Sequence, residues 1–213
     1  KPLQMTVSCQ ALILLFCTLI LVESSAPSPV RQRNKYNNSF RLTRSTRTRV
    51  QQLQKKYKEE QLGNTQFEDR SRQLKDLPTL STDFYAWLNM TDWERLHAAF
   101  CDMQAYWNKL DRTRKQIEGK QQLAGQASRI TLPRRIRHIQ LDLRDLMGQV
   151  SSQMRYMQSS WTKPTSPTQL DPETSSKTEW DSRVEGYIIL RDLDLYLTKL
   201  ARDFLLLASN THV

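Results

Sequence analysis

The feature that most constrains the fold is the last long stretch of the chain, Glu179 to Ala208, in which apolar residues recur at steps of four and three. On a helix of 3.6 residues per turn, these steps place the apolar residues in one continuous stripe. The stripe consists of Gly186, Leu190, Leu193, Leu197, Leu200, Phe204 and Leu207, and no proline interrupts it. A helix of this length is about 45 Å long, and an apolar face so long must be covered by partners of similar length. The sequence therefore predicts a helical bundle.

The composition favours an all-α fold. The chain has only five glycines in 213 residues, which leaves little material for the turns of a sheet, and it is rich in good helix formers such as Leu, Gln, Arg and Lys. Its formal net charge is +10. An excess of this size suits an acidic partner, and nucleic acid, an acidic membrane, heparin-like glycans and an acidic protein all fit it.

The beginning of the chain predicts a signal peptide over residues 1–26. Ala11–Val22 is an apolar block that is shorter than the ~20 residues needed to span a bilayer. Ser24 and Ala26 stand where a signal peptidase requires small residues. The alternative interpretation is a hydrophobic anchor or a buried helix. Residues 1–4 precede Met5 and are a candidate untranslated stretch. We expect the protein to be secreted and extracellular, without insertion into a membrane.

The rest of the chain divides into a lead-in and one domain. Residues 27–41 are polar and basic without an apolar period, which predicts a disordered lead-in. Residues 42–213 are expected to form the four-helix domain. Its helices are predicted at residues 42–62, 92–117, 132–160 and 179–208.

Local signals mark the helix ends. Gly63 is the expected stop of the first helix. Thr91 and Glu94 form a capping box at the start of the second helix. Pro133 falls in the first turn of the third helix, where its missing N–H costs nothing.

The three connections between these helices are long, short and long. They cover residues 64–90, 118–131 and 161–178. A connection of 27 residues reaches about 90 Å when it is fully extended, enough to return along a bundle and start the next helix at the same end. This order of lengths predicts a long-chain four-helix bundle with up-up-down-down topology and two long crossover loops.

Several short motifs match a known family when they are taken together. They are Leu42-Thr43-Arg44-x-x-Arg47 with Leu53 and Tyr57, then Leu77-Pro78, Ser81-Thr82-Asp83 and Glu94-Arg95-Leu96, and finally Trp180-x-x-Arg183. With the order of helices and the leader, these motifs resemble the long-chain cytokines of the interleukin-six class. The resemblance is closest to the ciliary neurotrophic factor and cardiotrophin-like branch, in its fish-type relatives, and it covers nearly the whole mature chain.

The resemblance implies a function in receptor binding. Such a protein binds and clusters cell-surface receptors, namely the shared signal transducer, a leukaemia inhibitory factor receptor type and a ciliary neurotrophic factor receptor alpha type. Clustering activates JAK/STAT signalling, with a neurotrophic or immune role. The resemblance implies no enzyme activity, no cofactor, no metal and no nucleic-acid partner, and heparin-like glycans remain an additional candidate partner.

The resemblance also implies two receptor-binding sites. The family's Phe-x-x-Lys motif at the head of the last helix, which contacts the leukaemia inhibitory factor receptor type, corresponds here to Trp180 and Arg183, a departure at both positions. The face toward the alpha receptor corresponds to Arg44, Arg47, Lys199 and Asp203. The alternative for Trp180 is a hydrophobic staple that closes the bundle, and the alternative for the charged residues is an ordinary solvated surface.

Three other features carry expectations. Asn37 and Asn89 begin glycosylation triplets. Cys101 is the one cysteine left after the leader is removed, and we expect a buried thiol on a helix face. The histidines His97, His138 and His212 show no ligand spacing, and no phosphate-binding Gly-rich loop is present.

Two other function classes remain open. A secreted amphipathic protein that binds lipid or glycan would also be helical and basic, but it should have shorter, repeated helices punctuated by proline. A nucleic-acid-binding helical protein would explain the charge but not the leader or the glycosylation triplets, and its binding should weaken steeply with salt.

Overall fold

The computed structural model of the chain describes residues 28–79, 83–123, 132–157 and 178–211. All regular secondary structure in these ranges is helical, which confirms the predicted all-α class. The elements are α1 (Pro29–Tyr57), a single π-helical turn (Lys58–Leu62), α2 (Phe84–Asn89), α3 (Asp92–Leu123), α4 (Leu132–Met157) and α5 (Glu179–Asn210). The predicted leader, residues 158–160 of the predicted third helix and residues 161–177 of the last connection lie outside the described residues.

The apolar stripe that predicted α5 forms the centre of the core. All seven of its residues are buried, and the helix also buries Val184, Ile189 and Tyr196. The core continues onto α3 through Leu96, Phe100, Met103 and Leu110, and onto α4 through Ile136, Leu143, Leu146 and Val150. These residues recur at helical spacing within the predicted second and third helices. The four long helices therefore pack as a bundle along the faces that the sequence indicates.

The first helix begins much earlier than predicted. Residues 29–41, expected to be a disordered lead-in, form the first three turns of α1. Ser28 caps the helix by accepting a hydrogen bond from the Arg31 N–H, and Pro29 occupies its first position. The inner face of these turns is Gln32, Tyr36 and Ser39, at helical spacing and buried. Because two of the three are polar, an apolar period does not reveal them.

The capping signals predicted at Gly63 and at Thr91 are present in the structure. Gly63 adopts a left-handed conformation with φ of 63° after the π-helical turn, a backbone that favours glycine. The Thr91 N–H donates to a Glu94 carboxylate oxygen at 2.9 Å, and the Glu94 N–H donates to Thr91 Oγ1 at 3.2 Å. The capping box thus starts α3, which runs to Leu123, six residues beyond the predicted end.

Hydrogen bonds between helices fix their alignment. Along α1, Ser39 Oγ donates to Gln149 on α4, Arg47 pairs with Asp194 on α5, and the Tyr57 hydroxyl donates to the Arg183 carbonyl of α5. Because the α5 partners come in the reverse order of sequence, α1 and α5 run antiparallel. Helices α3 and α5 also run antiparallel, because the Tyr196 hydroxyl donates to the Ala99 carbonyl and Lys120 pairs with Glu179.

The prediction for Cys101 is wrong. Its side chain is exposed on α3 rather than buried in the bundle. Cys101 lies between Phe100 and Asp102, one position past a core residue, so its helical angle turns it outward.

Candidate functional site

Trp180 lies in the first turn of α5 at one end of the bundle. Thr178 caps this turn, its hydroxyl oxygen accepting from the Asp181 N–H at 3.1 Å. The indole stands edge-to-face against Phe67 with ring centroids 6.0 Å apart, and Phe67 stands edge-to-face against the buried Tyr187 at 5.2 Å. Trp180 nevertheless remains 47% exposed. The indole is therefore held by the connection before α2 and still presents about half of its surface to solvent.

Arg183, one turn further along, is partly committed to its neighbours. Its guanidinium pairs with Glu179 at 2.7 Å and reaches the Gln61 carbonyl at 3.4 Å. Glu179 also pairs with Lys120 of α3 at 3.2 Å, and the hydrogen bonds from Arg183 and Lys120 lower the pKa of its carboxyl. We call Phe67, Trp180 and Arg183 the α5 N-terminal surface. It combines a supported aromatic ring with a positioned cation.

Arg44 and Arg47 lie one turn apart on α1. Arg44 is exposed, and its guanidinium stands 5.7 Å from the centroid of the Phe40 ring. Arg47 pairs with Asp194 of α5 at 2.9 Å, and its side chain is 40% exposed. Arg44 is thus available to a partner, whereas Arg47 would first have to share or break its ion pair with Asp194.

Asp203 is not on the surface. Its side chain is 1% exposed, and one carboxylate oxygen accepts from Arg95 Nη1 at 2.9 Å and from Trp87 Nε1 at 2.6 Å. Lys199 Nζ, which is partly exposed, lies 3.0 Å from the other oxygen. The placement of Asp203 on a receptor-facing surface is therefore corrected, because this carboxylate neutralises a buried arginine inside the bundle. Lys199 remains on the exposed rim of that network.

The short helix α2 carries a surface that the sequence reasoning did not select. Phe84, Tyr85 and Leu88 are 60%, 75% and 46% exposed, and we call them the α2 surface. The Phe84 ring lies 5.8 Å from the rings of Tyr85 and Trp87, so the exposed aromatics rest on one another. The signal in the sequence is a run of apolar letters, Phe84-Tyr85-Ala86-Trp87-Leu88, within an otherwise polar connection.

The buried charge network holds α2 in place. The guanidinium of Arg95 donates to the Trp87 carbonyl at 2.6 Å and stands 4.9 Å from the centroid of the Trp87 ring. Asp83 caps α2 by accepting from the Ala86 N–H at 3.0 Å. Six residues cannot form a stable helix alone, so the contacts of Trp87 with Arg95 and Asp203 are what fix the α2 surface on the bundle.

The two aromatic surfaces lie far apart. One is at Trp180 and the other adjoins Asp203, and 23 residues of α5 separate them. At 1.5 Å per residue this is about 35 Å along the helix axis. Two separate large partners can therefore reach the molecule at the same time.

The glycosylation triplets lie in different settings. Asn89 is exposed at the last position of α2. Asn37 lies within the first three turns of α1, and Ser39 of its triplet is buried with its hydroxyl bonded to the Lys35 carbonyl and to Gln149. Of the two, Asn89 is the one that the folded chain presents at an open helix end.

In the described ranges, no group of three or more His, Cys, Asp or Glu side chains is arranged to hold a metal ion. His97, which showed no ligand spacing, stacks on Trp93 with ring centroids 5.0 Å apart. No helix described by the structure is long and apolar enough to cross a membrane.

A groove of about 700 Å³ lies between α5 and the connection that precedes α2. Its charged side chains are largely paired with one another: Arg70 with Glu68, and Arg191 with Asp192. Arg191 also donates to the carbonyls of Asp69 and Arg72, which ties the connection to α5. The groove therefore offers no cluster of unpaired charged side chains from which a catalytic site could be built.

In comparisons with known proteins, no protein-family model matches the chain and no curated protein matches it.

Proposed function

We propose that this protein is a secreted helical cytokine that binds and clusters cell-surface receptors. The observation that carries the proposal is the pair of exposed aromatic surfaces at opposite ends of α5, one held by the contact of Trp180 with Phe67 and the other by the buried contacts of Trp87. Aromatic side chains beside an arginine are typical of the residues that dominate binding energy in protein interfaces. A ligand that joins two receptors needs two such surfaces on one rigid body.

We further propose an up-up-down-down topology with two long crossover loops. The alignment of hydrogen bonds supports it, since α1 runs opposite to α5 and α3 also runs opposite to α5. Helices α1 and α3 then run in the same direction. A connection between parallel helices must return along the bundle, which accounts for the long stretch between Gly63 and Thr91.

The α5 N-terminal surface is proposed to bind a receptor of the leukaemia inhibitory factor receptor type. Trp180 would insert into an apolar pocket of the receptor as the anchor, and Arg183 would pair with an acidic receptor group at the rim of the interface. Release of Arg183 from Glu179 would cost little, because an exposed ion pair contributes roughly 0–1 kcal/mol.

The second proposed site combines the α2 surface with Lys199 and Arg44. It replaces the face of Arg44, Arg47, Lys199 and Asp203 that the resemblance implied, with Asp203 now in a supporting role. An alpha-type receptor would dock its apolar contacts on Phe84 and Tyr85, and the cations would orient it. The shared signal transducer would bind a third surface.

The ligand acts by proximity. Binding of two receptor chains to one bundle raises their effective concentration next to each other. The kinases attached to the receptors inside the cell then phosphorylate one another, and JAK/STAT signalling follows. The ligand itself makes and breaks no covalent bond in this mechanism.

The test uses cells that carry the shared signal transducer, the leukaemia inhibitory factor receptor type and the alpha-type receptor. STAT phosphorylation is measured against the concentration of purified protein. We expect Trp180→Ala with Arg183→Ala to raise the half-maximal concentration by about 30-fold or more, the size expected when an interface hot spot worth ~2 kcal/mol is removed.

The matched control changes Tyr156 and Arg137 to Ala. These are an exposed aromatic and an exposed arginine on α4, so the control removes similar groups away from both surfaces and should bind the isolated leukaemia inhibitory factor receptor type as the parent does. Equal activity of the Trp180/Arg183 variant and the parent would remove the site assignment. No response to the parent with any receptor combination would remove the proposed function and favour the lipid- or glycan-binding alternative.

A further inference from the structure

Helix α1 is unusual in its charge. Over its 29 residues it carries nine Lys or Arg and no Asp or Glu. Neighbouring elements neutralise some of these cations: Asp194 pairs with Arg47, Asp142 with Arg49, and Glu60 with Lys56. The remaining cations therefore determine what the outer surface of α1 attracts.

Four of the remaining cations form a line on the exposed side of α1. We call Arg33, Arg41, Arg44 and Lys55 the basic stripe, and all four are exposed. At 3.6 residues per turn they fall within an arc of about 80°, and from Arg33 to Lys55 they extend about 33 Å along the axis. Within the part of the chain that the structure describes, none of the four has an acidic side chain within ion-pair distance.

The packing of α1 places this stripe toward open solvent. The buried side of the helix carries Tyr36, Val50, Leu53 and Tyr57, and the stripe lies on the opposite side. Arg47 reaches α5 from one flank and Arg49 reaches α4 from the other. The stripe therefore runs along the bundle between two flanks on which the acidic groups are already paired.

We propose that the basic stripe binds a linear sulfated glycosaminoglycan of the heparan sulfate type. A straight row of cations about 33 Å long matches an extended polymer that carries charge along its whole length, whereas a compact anion would need convergent donors. Arginine guanidinium groups suit sulfate oxygens as they suit phosphate oxygens, because their donors are planar and paired.

The chemistry of the stripe favours a glycan over single-stranded nucleic acid. Proteins that bind single strands place aromatic rings beside the cations so that the bases can stack. The one large hydrophobic side chain with high exposure on α1 is Val30, and the nearby Phe40 ring already lies against Arg44. The stripe thus offers charge without a stacking platform.

The inference does not depend on the proposed receptor function. The apolar receptor contacts would lie near Trp180 and on α2, the glycan would lie along α1, and Arg44 is the one residue that belongs to both a proposed receptor site and the stripe. The test therefore leaves Arg44, which was also assigned to the second receptor site, unchanged.

The experiment measures binding to a size-defined heparin oligosaccharide at several salt concentrations. Protein without N-linked glycans is used, because Asn37 lies on α1 between Arg33 and Arg41. We expect Arg33→Gln with Arg41→Gln and Lys55→Gln to weaken binding by about tenfold or more. The slope of log affinity against log salt should fall by up to about 3, roughly one unit for each cation that releases a counterion from a polyanion.

The matched control carries Gln at Arg134, Arg137 and Arg155, three exposed arginines of α4, so that it loses the same net charge. The control should bind as the parent does, and desulfated heparin should not bind. An equal loss of affinity in both triple variants would overturn the proposal, since net charge alone would then explain binding. Tighter binding of the parent to single-stranded DNA than to heparin would overturn it in favour of a nucleic acid.

Discussion

At the scale of single residues, Asp102 of α3 is a carboxyl group whose surroundings disfavour its charge. Burial raises its pKa to about 6 from an ordinary value of 3.8, the Lys199 ammonium lowers it, and the Asp203 carboxylate raises it again. Between these two pKa values the folded chain holds a proton that the unfolded chain has released. The free energy of unfolding therefore falls as the pH rises through this window, and the loss is complete above pH 6.

We expect Asp102→Asn to remove this loss. Asparagine is uncharged and close in shape, so the variant should gain stability over the parent between about pH 4 and pH 7, on the order of 2 kcal/mol after discounting for the partial exposure of the group. Urea unfolding followed by circular dichroism at several pH values measures it. Asp145→Asn, at an exposed carboxylate of α4, is the control, and its stability should depend on pH as that of the parent does. If the stability of the Asp102 variant also ran parallel to that of the parent, the raised pKa of Asp102 would be contradicted.

The buried pair of Arg95 and Asp203 shows why some site residues could not be predicted. The two residues are 108 positions apart in the sequence, and Trp87, which shares the carboxylate, is 116 positions from it. Both charges sit in helices whose sequence pattern is compatible with solvent exposure. Only the packing of α3 against α5 brings them together, and an unpaired charge left there would cost several kcal/mol. Trp180 differs because its position in the first turn of α5 follows from local sequence.

At the scale of elements, Gly186 allows α1 and α5 to approach closely. A Cβ atom at this position would overlap the Tyr57 hydroxyl and lie 2.7 Å from the ring carbon that bears it. Tyr57 is buried and donates to the Arg183 carbonyl, so it has little room to move. The apolar stripe of α5 thus includes a glycine because an aromatic ring of α1 fills the space beside it.

We expect Gly186→Ala to destabilise the fold by about 1–3 kcal/mol, the usual cost of overpacking a filled core. Gly148→Ala is the matched control, because Gly148 is also within a helix and a Cβ there meets nothing within 4 Å. The control should gain roughly 0.5–1 kcal/mol from helix propensity. Thermal and urea unfolding of both variants measures these values. A stabilised Gly186 variant would show that α1 and α5 are not packed as described.

The helices could be predicted from the sequence where the face that they bury in the core is apolar. Helices α3, α4 and α5 and the glycine stop of α1 follow from apolar period and capping chemistry, which act within a few residues. The first three turns of α1 were missed because Gln32 and Ser39 occupy inner positions that usually hold apolar residues. Ser39 is satisfied by Gln149 and Gln153 of α4, partners that no local pattern indicates.

At the scale of the whole molecule, the separation of the two aromatic surfaces makes the proposed receptor function testable with a single variant. A bundle whose α5 N-terminal surface is removed still presents the α2 surface, about 35 Å away along α5. Substitutions that are far apart and share no contacts act independently. The Trp180→Ala/Arg183→Ala variant should therefore occupy the alpha-type receptor without joining it to the leukaemia inhibitory factor receptor type.

We expect this variant to be an antagonist of the parent protein. With the parent at a fixed concentration near its half-maximal response, the variant should lower STAT phosphorylation toward the background at concentrations below those at which the variant itself signals. A variant that also carries Phe84→Ala and Tyr85→Ala loses both aromatic surfaces and should inhibit far less, because only its third surface, for the shared signal transducer, can still compete. Equal inhibition by both variants would mean that the α2 surface does not bind the receptor, and inhibition by neither would mean that the two surfaces do not act separately.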